Sequence, residues 1–256
     1  MSDLPDTSSD WSKYVKLPVD ILLLTVEDCE FLSCFAYLKE PFKSYHISIG
    51  PVYFGYMSDD QGKKMNIALM KCKRSKGPGG PFSTSKDAIL VLRPKATFSV
   101  GACSGLNSRK IKLGDVVVSS KLITAAHKTP PSRDIGNLIK HVADGWKAPL
   151  QNANEYNAKV HCDGVFLSIS EANKEMIGQH PEAIAVEMES GDVFAAAHDF
   201  NAEWVVIKGI GDFVDERQSF GEKWKQIACV MAASVVANIL NDPIIFQDWP
   251  HFNAEL

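Results

Sequence analysis

The segment from Ala183 to Asp215, AIAVEMESGDVFAAAHDFNAEWVVIKGIGDFVD, constrains the fold of this chain most. Ala183 to Val186 is a short apolar run that stops in Glu187, Met188 and Glu189, and Trp204 to Ile207 is a second that stops at Gly209, Gly211 and Asp212. Between them Val193, Phe194, Ala196 and Ala197 form a helix-like apolar face, and Asn201 stands where a helix commonly ends before a strand. Strand, helix and strand fit within about one βαβ unit. In open parallel sheets the carboxyl edge of the strands is where ligands bind. A lone Asp or Glu after a strand commonly caps the next helix, but two acid-bearing turns delivered to one edge are candidates for one site.

The remainder alternates in the same way and predicts an α/β fold, a mixed and partly closed central sheet flanked by helices. Val19 to Val26, VDILLLTV, reads as a strand buried on both faces and is followed by an acid-opened helix through Leu38. Pro51–Met57 and Met65–Cys72 bracket the turn signal Asp59-Asp60-Gln61-Gly62, which predicts a hairpin. Thr84–Leu92 reads as a capped helix, Ala96–Val100 as a strand ending in the small-residue turn 101–105, VVVSS as a strand, and Ile135–Trp146 as a helix. Ala158–Ser168 reads as a strand and Glu171–Ile177 as a short helix. From Trp224 to Ile239 apolar residues recur on one helical face, a core stripe. At 256 residues, with no repeat or linker, one domain spanning 18–256 is expected, preceded by a flexible lead-in over 1–17. The tail beyond Asp242, rich in aromatics and proline, is expected to pack on the surface.

A net charge of −4 gives no broad basic face, which argues against nucleic acid as the main partner. The six cysteines are scattered without CxxC pairs, so no zinc site and no metal are indicated, and they read as small buried hydrophobes. No apolar run reaches membrane-spanning length, and MSDLPDTSSDW is too polar for a signal peptide. A cytoplasmic protein without membrane contact is the expectation.

VEMES and VVIKGIGDFVD, at this spacing, resemble the nucleoside phosphorylase and nucleosidase superfamily, which holds purine and uridine phosphorylases and methylthioadenosine/S-adenosylhomocysteine nucleosidases. Cleaving a purine from ribose C1′ leaves an electron-rich base and a cationic sugar, so a proton donor, a sugar-binding acid and a positioned nucleophile are needed. By resemblance Asp212 matches the aspartate that protonates the purine, Glu189 the glutamate that holds the ribose hydroxyls, and Met188 the methionine against sugar and base, with Glu187 beside them. In TVEDCEF, residues 25–31, Glu30 keeps the T-x-x-x-x-E spacing of the water-activating glutamate, with Glu27 the alternative. Either acid would also favour the first turn of a helix.

VGACSG, residues 100–105, resembles the loop that binds phosphate in phosphorylases or water in nucleosidases, which brings in Gly101, Ala102 and Cys103. Ala102 stands where both branches carry a hydroxyl, Ser99 where phosphorylases carry an arginine, and Ala172 where a phenylalanine stacks on the purine. These departures favour hydrolysis over phosphorolysis, and they leave open a phosphate-dependent phosphorylase or a catalytically degenerate nucleotide sensor. The loop KCKRSKGPGGPFS adds Lys71, Lys73, Arg74 and Lys76. It reads either as a solvated charge run or as an anion cradle. Lys76, Gly77 and Gly79 replace the apolar cap over the ribose 5′ end, which suits a 5′-phosphate, and GPGG resembles nucleosidase-like domains attached to immune receptors, some acting on ATP. The implied partner is a small purine nucleoside or nucleotide, without cofactor, bound by a homo-oligomer as the superfamily's members are.

Overall fold

The computed structural model describes residues 3–58, 61–74, 80–106, 109–124, 128–151, 157–169, 174–188, 190–214 and 221–253. The strands are β1 (Ser8–Ser9), β2 (Ile21–Thr25), β3 (Lys39–His46), β4 (Gly50–Ser58), β5 (Lys64–Lys71), β6 (Ala96–Gly105), β7 (Val116–Ile123), β8 (Lys128–Thr129), β9 (Val160–Ser168), β10 (Ala185–Glu187) and β11 (Glu203–Phe213). The helices are α1 (Trp11–Tyr14), α2 (Asp28–Phe35), α3 (Pro81–Leu92), α4 (Arg133–Leu138), α5 (Lys174–Gln179), α6 (Ser190–Asp199) and α7 (Glu222–Leu240). This is the expected mixed α/β domain.

All strands join one sheet, in the order β1-β3-β4-β5-β2-β6-β10-β9-β7-β11, with β8 on β7. Because β11 also pairs with β6, strands β6, β10, β9, β7 and β11 close into a ring, and β1, β3, β4, β5 and β2 extend from it as a wing. Within the wing β2 is buried on both faces, which explains its unbroken apolar run. Ile21 and Leu23 enter the core under α2 and α7, while Leu22 and Leu24 enter the core under α3 and α6.

β6 is the hinge of this architecture, and it changes partner midway. Its first half pairs in parallel with β2 as far as Leu24↔Ser99, and its last residues pair antiparallel with β10 at Ser104↔Val186 and Gly105↔Ala185. Between Ser99 and Ser104 that edge has neither neighbour. β11 runs along the other edge of β6 throughout.

Four expectations are corrected. The stretch 101–105 is strand rather than turn, because β11 and β10 continue its ladder. Ala183–Asp215 does form strand, helix and strand, but β10 lies antiparallel to β6 while β11 lies parallel to it, so the two strands are not a βαβ pair. The segment 3–17 carries β1 and α1, and β1 pairs with β3; Trp11 packs against Phe54 and His46. In the tail, Phe246 is fully buried and Trp249 packs on it. β3 had no clear signal, since Pro41 and charged residues break its pattern; Glu40 and Pro41 fall in a register shift against β4. Asn201 does end α6, with a left-handed φ of 51°.

Candidate active site

The gap on β6 is floored by Gly101 and Ala102 and closed by α2. Thr25 ends β2, and the chain turns through Val26 and Glu27 into α2, where Glu30 is the third residue. Glu30 completes a capping box with Glu27, as its helix-start role predicts. Its carboxylate does more than cap. Oε2 accepts from the Val26 and Glu27 N–H groups at 2.8 and 3.0 Å, and Oε1 accepts from the Ala102 N–H at 3.0 Å. Gly101 makes this approach possible, because a Cβ there would overlap the Glu30 carboxylate. Glu30 is 4% exposed, and Lys208, 1% exposed on β11, brings its Nζ to 3.9 Å from Oε1 and 3.5 Å from the Val100 carbonyl. Burial raises the Glu30 pKa, but the Lys208 charge and the three N–H donors outweigh it and hold the group below the usual carboxylate range.

Asp212 arrives from the opposite edge. In β11 the odd positions Val205 and Ile207 pack under α7, and Gly209 and Gly211 continue that face, where α7 comes so close that a Cβ on Gly209 would overlap the Ala228 carbonyl. Gly209 therefore admits a helix, while Gly211 also lines the cleft formed beside Asp212. The register slips between Ile210 and Asp212, leaving Gly211 as a bulge, so Asp212 stands opposite Ser104, the residue that also pairs with Val186 of β10. The ends of β10 and β11 thus meet on one residue of β6. The Asp212 carboxylate accepts from the Phe213 N–H at 2.8 Å.

These ends open into a cleft of about 310 Å³ lined by Ala102, Cys103, Ser104, Glu187, Met188 and Asp212 on the sheet side, with Arg74, Glu222 and Lys225 at its other wall. That volume lies at the lower end for small-molecule sites. Met188 is 47% exposed there, an unusual exposure for so apolar a side chain, while Glu187 is buried beneath. Burial pushes the Cys103 thiol well up, so it remains protonated. Arg74 and Lys225 flank the Glu27 carboxylate at 3.2 and 3.7 Å, and Lys71 pairs with Asp28.

Asp212, Met188, Glu187, Ala102 and Cys103 therefore share one cleft, Gly101 and Glu30 lie behind Ala102, and Glu27 faces the cations. Glu189, Lys76, Gly77, Gly79 and Ala172 lie outside the described residues. Sequence reasoning missed Lys208 and Lys225 in the site. A lysine inside the apolar run VVIKGIG was the available signal for the first; the second sits in a helical stripe that reads as core packing. Among the described residues no cluster of three or more His, Cys, Asp or Glu side chains could hold a metal, and no helix is long and apolar enough to cross a membrane.

The profile of the family described as Phosphorylase superfamily matches residues 21–241. A death domain-containing ATP nucleosidase of Amphimedon queenslandica is 27% identical over 214 residues, covering 70% of this chain and 40% of that protein, so the chain spans well under half the length of that relative. A 5′-methylthioadenosine/S-adenosylhomocysteine nucleosidase of Desulfotalea psychrophila is 23% identical over 172 residues, 60% of this chain and 70% of the relative. Among solved structures, S-adenosylhomocysteine nucleosidase from Streptococcus pyogenes, in complex with 5-methylthiotubericidin, superposes with a TM-score of 0.68 at 17% identity, over 89% of this chain and 98% of that one, a likeness of fold. With the family profile spanning nearly the whole sheet and every cleft-lining element, the chain belongs to the phosphorylase superfamily.

Proposed function

We propose that the chain is a purine N-ribohydrolase that cleaves the N-glycosidic bond of an adenine nucleoside or nucleotide. The observation that carries this is the cleft itself, with Asp212 on one wall, Met188 and Glu187 beside it, and the buried Glu30 carboxylate behind Ala102. Water adds to ribose C1′ as the bond to the purine breaks and its electrons pass to the base. Asp212 donates the proton that the departing base takes up, while Glu30 orients the water and accepts its proton. A carboxylate offers about four acceptor positions. Three are taken by N–H groups, which leaves room for a water, and Lys208 steadies the charge. Glu189 is assigned, on the resemblance, to the sugar hydroxyls, and Met188 lies against the sugar and base. The chemistry needs neither metal nor organic cofactor.

Hydrolysis is favoured over phosphorolysis by charge and by missing donors. A phosphate dianion beside Ala102 would meet the ionised Glu30 without a hydroxyl at 102 or an arginine at 99, and Ser99 is buried within the sheet. A phosphorylated substrate such as ATP or AMP is supported by Arg74 and Lys225, which bring two cations to the cleft wall; in sequence, Lys76, Gly77 and Gly79 follow shortly after Arg74. The activity named for the Amphimedon queenslandica relative agrees with this choice. We assign the chain to a homo-oligomer on the resemblance to its superfamily, and to the reducing cytoplasm, which suits its scattered free cysteines.

Chromatography of base release from adenosine, methylthioadenosine, AMP and ATP, with and without inorganic phosphate, tests the assignment. The expected result is adenine release without phosphate and at the same rate with it. Release that requires phosphate, or saturable binding with no release, overturns hydrolysis. Arg74→Ala and Lys225→Ala are expected to raise KM for ATP while leaving KM for adenosine within about twofold; equal losses for both contradict the phosphate role.

A further inference from the structure

Cys29 and Cys229, 200 positions apart in sequence, bring their sulfurs to 3.3 Å where the first turn of α2 packs on α7. Cys29 immediately precedes Glu30, and Cys229 lies one helical turn beyond Lys225, which lines the cleft. Each member of the pair is therefore covalently next to, or one turn from, a group of the site.

We propose that Cys29 and Cys229 are a redox-active dithiol, a modification site that oxidises to a disulfide tying α2 to α7 beside Glu30. A disulfide needs sulfurs about 2.0 Å apart, so the two must close by roughly 1.2 Å, a shift that side-chain rotation and a small helix movement can supply. The two thiols differ in the way such a reaction requires. The hydrogen bond from Cys229, with the nearby Lys225 charge, brings the Cys29 thiol below its ordinary pKa against the opposing effects of burial and Glu30, and Cys29 is half-buried rather than enclosed. Cys34, Cys72, Cys103, Cys162 and Cys229 are all shifted upward. Among the six, Cys29 is the one favoured as attacking thiolate, and Cys229 is at hand to resolve it.

With a peroxide as oxidant the balance is complete. The Cys29 thiolate attacks one peroxide oxygen, the O–O bond breaks, and hydroxide leaves and is protonated to water, giving a sulfenic acid. The Cys229 sulfur then attacks the Cys29 sulfur; the S–S bond forms, the S–O bond breaks, and the departing hydroxide takes the Cys229 proton as a second water. Two thiols and one hydrogen peroxide give one disulfide and two waters.

Closing the pair pulls the first turn of α2, and with it the Glu30 carboxylate that bridges Val26, Glu27 and Ala102. The effect on turnover rests on the nucleosidase assignment; the crosslink does not. The test treats the reduced full chain with stepwise hydrogen peroxide, followed by alkylation, mass spectrometry of digests and adenine release. A linked peptide pair containing Cys29 and Cys229 is expected, with kcat lowered roughly 100-fold, the scale at which an ångström displacement of catalytic groups acts. Reduction by dithiothreitol should restore it. Cys29→Ser and Cys229→Ser should keep the untreated activity and lose the sensitivity. Overoxidation of Cys29 without a link, a link between other cysteines, or a linked protein with unchanged kcat each overturns the proposal. A chain that links these cysteines but releases no base from any nucleoside would instead contradict the nucleosidase assignment, so the two failures are separable.

Discussion

Glu30 serves two masters at the residue scale, the start of α2 and the floor of the cleft, and the same hydrogen bonds serve both. Its folded pKa lies below that of an unfolded glutamate, about 4.3. The associated stability is therefore fully present above that value and is lost as pH falls through the lower folded value. Glu30→Gln leaves Lys208 buried beside a neutral group and is expected to destabilise the protein by roughly 3 kcal/mol at neutral pH. Urea unfolding across pH should show this gap narrowing below about pH 4.3; a constant gap down to pH 2 would contradict the ionised pair. Lys208→Met tests the same contact from the other side. It removes the main charge holding Glu30 down while burial remains, so the acid limb of kcat should move upward from its position in the parent. A pH profile with an unmoved limb would place Glu30 outside the chemistry.

The elements explain why parts of the site were legible in the sequence and others were not. Alternation and run length revealed β2, β4, β5, β7, β9, β10 and β11, because each buries apolar side chains in an unmistakable pattern. The two acid-bearing strand ends were visible because charge stops abruptly against such runs, and in the structure Glu187 and Asp212 do line one cleft. What sequence could not convey is that β6 changes partners at Ser99–Ser104, since strand exchange leaves no local signature, and so its small-residue stretch read as a turn. Nor could it show that Gly209 faces a helix, because a glycine that admits backbone and one that admits ligand look alike. Gly209→Ala drives a methyl against the Ala228 carbonyl and is expected to destabilise by roughly 1–3 kcal/mol, with α7 pushed outward. Thermal unfolding should show a lower Tm and adenine release a higher KM; a variant with parental Tm would mean α7 packs more loosely than described.

At the scale of the whole molecule, the closed ring carries the cleft and the wing carries the amino-terminal segment, so the two can be perturbed separately. Removing residues 1–17 uncovers Phe54 by deleting Trp11 and β1, and is expected to lower stability by roughly 2 kcal/mol while adenine release continues at near the parent rate. Loss of activity in a folded truncation would tie the lead-in to the site. The ring matters because it delivers β10 and β11 to the same residue of β6 and so sets Asp212 across from Glu187 and Met188. The most direct measurement is adenine release by the parent chain and by Asp212→Asn, each checked for folding, on the best of adenosine, methylthioadenosine, AMP and ATP. A carboxyl that protonates the leaving base predicts a loss of kcat of roughly 100-fold or more with the fold intact. Turnover by folded Asp212→Asn at the parent rate would contradict the account.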